Sequence, residues 1–209
     1  QAFVSKYNVT ENIYWGACTR KLSSKSGTKE DVYEAVGYWA DMDFKDYGQE
    51  KGKPIDLKKG EEEARKILAE FPSPPSATIR TGGGLQPYWF FQFHELSDIE
   101  HFESVLRGIG NRLKGDKAVV DVARVLRLPF TTNFPSKKKL EEGGRTGPLS
   151  ATLEYMNDDR YDFKDFSDFY KANEEFEGEK VEKQKIKNIR FKDVEEKLKS
   201  HLGKDILLQ

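Results

Sequence analysis

The chain has 209 residues, enough for one large domain or two small subdomains sharing a core. It is 36% hydrophobic, 34% charged and 12% aromatic, and that aromatic share argues against disorder despite the high charge. Lys plus Arg number 35 against 36 Asp plus Glu, so the net charge of −1 excludes a protein that coats nucleic acid through bulk positive charge. Any nucleic-acid surface must be local.

Cys18 is the only cysteine, which rules out an intrachain disulfide and a zinc knuckle and fits a reducing cytoplasm. No signal peptide is visible, and no apolar run reaches the ~18 residues of a membrane span. Because the first residue is Gln1, a piece of a longer protein is expected.

In chain order, residues 12–17 read as a short strand and 21–31 as a polar loop. Residues 35–44 read as a strand that is apolar until Asp41 and Asp43 appear. After a polar loop over 45–60, a helix is expected over 61–71, where Ala64, Ile67, Leu68 and Phe71 recur with helical period. Pro72, Pro74 and Pro75 stop it. A strand over 76–80, a glycine turn at 82–84 and an aromatic strand over 85–93 follow.

The clearest helix is expected over 98–114, with Ser97 and Glu100 at capping-box spacing and Phe102, Val105, Leu106, Ile109 and Leu113 as its buried stripe. Residues 118–120 read as a strand ending at Asp121. A basic, Gly-rich loop over 134–148 and a strand over 150–155 come next. The charged last fifty residues include an expected helix near 191–202. His94 and His101 lack metal-ligand spacing. Strands and helices alternate, so the class is α/β or α+β.

Alternate residues of a strand share a face, so Asp41 and Asp43 project together with Cα atoms ~6.5–7 Å apart. Two carboxylates on one face repel unless a cation sits between them, and hard divalent ions prefer oxygen. Two such ions ~3.5–4 Å apart can clamp the attacking and leaving oxygens of a phosphoryl displacement. Asp121 offers a third carboxylate. A pair of solvent-facing acids at a strand end is the alternative. An EF-hand fails, since Lys45 stands at a ligand position and the required glycine is missing.

Thr81-Gly82-Gly83-Gly84-Leu85-Gln86 joins two strands, and its glycines let backbone N–H groups approach a phosphate. It matches neither a Walker A loop nor a dinucleotide fingerprint. Arg124 and Arg127 follow Asp121 at a spacing of three, and their guanidinium forks suit phosphate oxygens or structural ion pairs equally. The Tyr88-Trp89-Phe90-Phe91 run reads as core, with one ring available for base stacking. Lys137 to Lys139 read as a solvated stretch.

The order of these motifs resembles the archaeo-eukaryotic primase superfamily. It runs from Ala40-Asp41-Met42-Asp43 through Thr81 to Gln86 to Asp121-x2-Arg124-x2-Arg127-Leu-Pro-x-Thr-x-Asn133. Within that superfamily it resembles the prokaryotic primase-polymerases of plasmids, phages and CRISPR-associated systems, over about residues 12–165. The resemblance implies an α+β catalytic core: an α/β N-terminal part and an RRM-like antiparallel sheet, with the active site in the cleft between. Residues 166–209 would form a charged helical extension.

It also implies template-dependent nucleotidyl transfer, making or extending DNA primers from dNTPs or NTPs on a single-stranded DNA template. Asp41, Asp43 and Asp121 would hold two Mg²⁺ or Mn²⁺ ions. Thr81, Gly82, Gly83, Gly84, Gln86, Arg124, Arg127 and Arg20 would hold the nucleotide. Further domains of a longer polypeptide (helicase, nuclease or CRISPR-associated modules) are expected partners, and a membrane is not. Two departures stand out. Gln86 replaces the family's phosphate-contacting histidine, and Phe130 falls where relatives often carry glycine. A nucleotide or single-strand binding module of the same fold, and a metal-dependent nuclease, are the alternatives.

Overall fold

The computed structural model describes residues 2–23, 27–92 and 96–170. A short helix α1 (Ala2–Tyr7) precedes strands β1 (Tyr14–Gly16), β2 (Cys18–Arg20), β3 (Val32–Ala35), β4 (Gly37–Trp39) and β5 (Met42–Asp43). Then come α2 (Leu57–Ala69), β6 (Ala77–Arg80), β7 (Gly84–Phe90) and α3 (Ile99–Leu113). The described part continues with β8 (Val125–Arg127), β9 (Thr131–Asn133), α4 (Lys137–Glu141) and β10 (Leu149–Met156), and closes on a 3-10 turn at Phe163–Phe169.

The main sheet runs β4-β7-β6-β10-β9, with β5 also paired to β7. All of its pairings are antiparallel. Two separate antiparallel ribbons join β1 to β8 and β2 to β3. The class is therefore α+β, as expected.

The aromatic strand β7 is central because alternate side chains leave it for two apolar layers. On one face Trp89 meets Phe71 (ring centroids 4.8 Å apart) and Phe166 (6.1 Å). Tyr38 of β4 stacks on Phe102 of α3 at 4.7 Å, which brings the stripe of α3 into the same core. On the other face Tyr88 packs against Trp15 of β1 at 5.7 Å. The β1–β8 ribbon therefore covers the Gln86–Tyr88 face of the sheet, and the helices cover the Leu85–Trp89 face. Phe166 is fully buried, so the core runs on through the closing turn.

Several expectations are corrected. Helix α2 starts at Leu57 rather than residue 61, because the Asp56 side chain accepts from the backbone N–H groups of Lys58 and Lys59. Helix α3 is capped by Asp98, whose side chain accepts from His101 N, in place of the Ser97–Glu100 box. The strand read over 35–44 breaks into β4 and β5 at Ala40 and Asp41. Residues 117–119 form a 3-10 turn, not a strand, started by the Asp116 carboxylate accepting from Ala118 N. The loop over 134–148 contains α4. The helix near 191–202 lies outside the described residues.

Helix α2 lies directly on the turn at Phe44–Asp46 that follows the two acids. A Cβ at Gly60 would stand 1.9 Å from the Phe44 carbonyl oxygen. Two ion pairs tie the same helix to the sheet: Arg80 to Glu61 at 2.7 Å and Arg65 to Glu154 at 2.8 Å. Helix propensity alone makes Gly60→Ala stabilising by ~1 kcal/mol. The close approach reverses the sign. We expect a lower urea midpoint for Gly60→Ala, and an unchanged or raised midpoint would show that α2 does not bear on this turn.

Candidate active site at the acidic pocket

A cavity of about 180 Å³ opens between the main sheet and the β1–β8 ribbon. Asp41, Asp43 and Asp116 line it together with Arg124, Arg127 and Lys139. A larger groove of about 450 Å³ lies beside α2, β6 and β10, and its only charged lining residues are the paired Arg65 and Glu154. The chemistry is therefore concentrated in the smaller cavity.

The two acids reach it through a close backbone contact. Strand β5 pairs with β7 in the register Met42↔Leu85 and Asp43↔Gly84. A Cβ at Gly84 would sit 2.6 Å from the Met42 carbonyl oxygen, so only glycine admits this approach. Gly82 holds φ +83, where an L residue is strained, and a Cβ there would meet Leu149. The glycines at 82 and 84 are thus accounted for by backbone geometry. Thr81 lines the cavity, with its Oγ1 donating to the Gly84 carbonyl.

Asp121 does not line this cavity. Its Oδ1 accepts from Ala123 N at 2.8 Å, closing a local turn. Its charge is felt by Cys18, whose thiol is pushed up to about 12 by burial, with Asp121 adding to the effect. The acid that joins Asp41 and Asp43 is Asp116. Its backbone N–H donates to the Asp41 carbonyl at 2.8 Å, where the chain leaves the left-handed C-cap of α3 at Lys114. A Gly-Asp pair just beyond a helix end was the one signal in the sequence.

The acids lie close enough to disturb one another. Burial, then Asp43, then Asp116 push the Asp41 carboxyl up to about 7, against the pull of Lys139 and a hydrogen bond from Gln86. Asp43 is neutralised by Lys45 at 3.3 Å and Lys139 at 3.8 Å. Among the described residues no three acid, histidine or cysteine side chains form a ready metal cage. The donor set still fits a Mg²⁺-like ion, which keeps waters and binds through one or two carboxylates plus substrate phosphates. A cation would also relieve the repulsion that raises Asp41.

Gln86 is buried and faces inward. Its Oε1 accepts from Arg127 N at 3.1 Å and from the Tyr88 hydroxyl at 3.3 Å, and its amide donates to Asp41. Gln86 lines the cavity and its amide links Asp41 to β8. Arg127 is 7% exposed and held by neutral acceptors: Asn12 Oδ1 at 2.8 Å, Tyr14 OH at 3.1 Å and Asn133 Oδ1 at 3.1 Å. Burial lowers its pKa, yet it stays an uncompensated cation at the cavity. Arg124 has a buried Nε without a hydrogen-bond partner.

Arg20 does not line the cavity. Its two terminal amines donate to the carbonyls of Thr28 and Ala123, bracing the loop that carries Asp121. Asn133, which ends the arginine motif, is buried beside the glycine turn. It donates to the Thr81 carbonyl at 2.6 Å and so joins the glycine turn to Arg127. Lys139, read as part of a solvated stretch, reaches the acids from α4.

No protein-family model and no curated protein matches this sequence. Among solved structures, the chain is similar to the primase-polymerase domain of cyanophage S-2L, at a TM-score of 0.55 and 15% identity, covering 81% of this chain and 76% of that one. A second likeness, to primase RepB′, has a TM-score of 0.38 and 14% identity over 60% of this chain and 35% of that one. The chain therefore shares its α+β fold with that primase-polymerase domain. No described helix is long and apolar enough to cross a membrane.

The raised Asp41 carboxyl has a consequence for stability. The unfolded side chain ionises near pH 4, while the folded one holds its proton to about 7. The folded state therefore binds more protons between these values, and stability falls as pH rises through that window. In metal-free buffer we expect Asp41→Asn to raise the melting temperature at pH 8 and to match the parent near pH 4. An equal gain at both values would mean that ionisation of Asp41 carries no cost in the folded protein.

Proposed function

We propose that this chain catalyses template-dependent nucleotidyl transfer, extending or initiating a DNA strand from nucleoside triphosphates by a two-metal mechanism. The observation that carries the reading is the gathering of Asp41, Asp43 and Asp116 with Arg124 and Arg127 in one cavity of a primase fold. We read it as the prokaryotic type found in plasmids, phages and CRISPR-associated systems, because the fold likeness is to a phage domain.

In this reading Asp41, Asp43 and Asp116 hold the divalent ions. Held there, such ions would supply Lewis-acid polarisation of the α-phosphate and activation of the attacking 3′-hydroxyl. Gln86 holds Asp41 in place through the amide that also bridges to β8. Lys45 and Lys139 pair with Asp43 in the resting site. Arg124 and Arg127 supply positive charge where the pentavalent phosphate and the departing pyrophosphate gain negative charge. Asn133 keeps the Arg127 fork and the glycine turn in register. A single-stranded DNA template and an incoming dNTP or NTP are the partners of this chemistry.

The pairing of Asp43 with two lysines favours one other reading, a nucleotide or single-strand binding module that does not synthesise. Labelled-nucleotide incorporation on a single-stranded template, with Mg²⁺ or Mn²⁺ and with or without a primer, separates the two.

The third acid is decided by the same assay. We expect Asp43→Ala and Asp116→Ala to lose more than ~100-fold in incorporation, since even outer-shell partners of a metal ligand are worth ~10–100-fold. Asp121→Ala should keep activity within ~5-fold at equal folded fraction, consistent with a turn-closing hydrogen bond of ~1 kcal/mol. The reverse ranking would return the third ligand to Asp121.

Gln86 is expected to act through Asp41. Gln86→Ala should then lower kcat by ~10–100-fold with little change in the KM for nucleotide, and Gln86→His should not restore it. A raised KM with unchanged kcat would instead assign Gln86 to the phosphates.

A further inference from the structure

Arg145, on the loop after α4, is 4% exposed. Its Nη2 donates to the carbonyls of Asn133 and Gly147, each at 3.1 Å. Its Nε and Nη1 are buried without a hydrogen-bond partner. A guanidinium is a permanent charge with five donors, and burying one with two nitrogens idle is costly unless a ligand completes it. Burial lowers its pKa, Arg127 adds to that, and Asp43 opposes it.

The surroundings are positive. Arg145, Lys45 and Lys139 line a small depression that adjoins the acidic cavity at Asp43 and Lys139. Asp43 is shared between both lysines, and Lys45 also pairs with the half-exposed Asp46 at 2.6 Å. Three cations thus face two carboxylates. Gly83 forms one edge, and a Cβ there would lie 3.0 Å from Arg145 Nη1. The middle glycine of the turn is therefore the one whose Cβ would crowd Nη1. The depression holds about 10 Å³, room for one water. The lysine side chains that line it are 36% and 42% exposed, so outward rotation enlarges it.

We propose that Arg145, with Lys45 and Lys139, forms a subsite for the terminal phosphates of a nucleoside triphosphate, entered past Gly83 and next to Asp43. The identity of the anion rests on the nucleotidyl-transfer reading. A triphosphate whose reacting phosphate lies at Asp41 and Asp43 extends its two further phosphates past Asp43. There they meet idle guanidinium donors and two lysines. Arg124 and Arg127, which line the other cavity, are left for the reacting phosphate.

The test is equilibrium binding to the whole chain by calorimetry in Mg²⁺, without template or primer. The probes are a nucleoside triphosphate, pyrophosphate, the matching monophosphate and single-stranded DNA. Arg145→Met should weaken triphosphate and pyrophosphate by ~10-fold or more, as expected for lost hydrogen bonds between charged groups, and leave monophosphate and DNA within about twofold. Unchanged triphosphate binding, or an equal loss for DNA, overturns the subsite. Should Arg145→Met not fold, Gly83→Ala keeps the guanidinium and narrows its approach. It should show the same selective loss, and parent-like binding there also overturns the proposal. Primer extension with Arg145-independent triphosphate binding removes the subsite alone. Arg145-dependent triphosphate binding without any extension removes the synthetic reading alone.

Discussion

The site depends on the backbone contact between Met42 and Gly84. Strand β5 is only two residues long, and it can lie against β7 because no Cβ stands in its way. That contact carries Asp43 to the cavity and leaves Asp41 beside Gln86 on the neighbouring strand. Any side chain at position 84 would push β5 off the sheet and the acids with it. The second support comes from below. Gly60 lets helix α2 press on the turn after Asp43, so the acids are fixed from the sheet and from the helix layer together.

Around that frame the charges are arranged with few direct cancellations. Asp41 is destabilised by burial and by its acidic neighbours, opposed by the charge of Lys139 and a hydrogen bond from the neutral Gln86 amide. Arg127 is held by an asparagine, a tyrosine hydroxyl and a second asparagine, none of which neutralises it. Neutral partners fix geometry while leaving charge available to a ligand. Asp43 is the exception, since Lys45 and Lys139 attend it, and both lysines are exposed enough to move. The resting site thus stores opposite charges in one cavity, held apart by hydrogen bonds to Gln86 and Asn133. Ligands that bring both divalent cations and phosphate anions are the ones that discharge both sides at once.

The departure at Gln86 takes on a different meaning in this setting. A histidine at the same position has two ring nitrogens and no carbonyl, so it cannot accept from Arg127 N and Tyr88 while donating to Asp41 in the same way. The glutamine couples the first acid to the ribbon that bears the arginines. Phe130, the other departure, holds φ +62 and is 73% exposed at the turn between β8 and β9. That is a strained conformation for an aromatic residue, at a position suited to glycine.

Much of the frame was legible in the sequence. The aromatic strand, the stripe of α3 and the proline stop after α2 follow from period and punctuation, which act over a few residues. The Asp-x-Asp pair was legible from its alternation, and although the strand breaks at Asp41 both acids line the cavity. The third acid was not. Asp116 and Asp121 are five residues apart, an odd separation that would put them on opposite faces of a strand through 118–120. The 3-10 turn at 117–119 and the left-handed cap at Lys114 bring Asp116, and not Asp121, to the cavity lining, and both go with how α3 ends against Asp41. The inward turn of Gln86, the idle donors of Arg145 and the reach of Lys139 were likewise decided by the tertiary structure. Gln86 reaches Arg127 and Lys139 reaches Asp43 across 40 residues or more, and local spacing carries no information about such contacts.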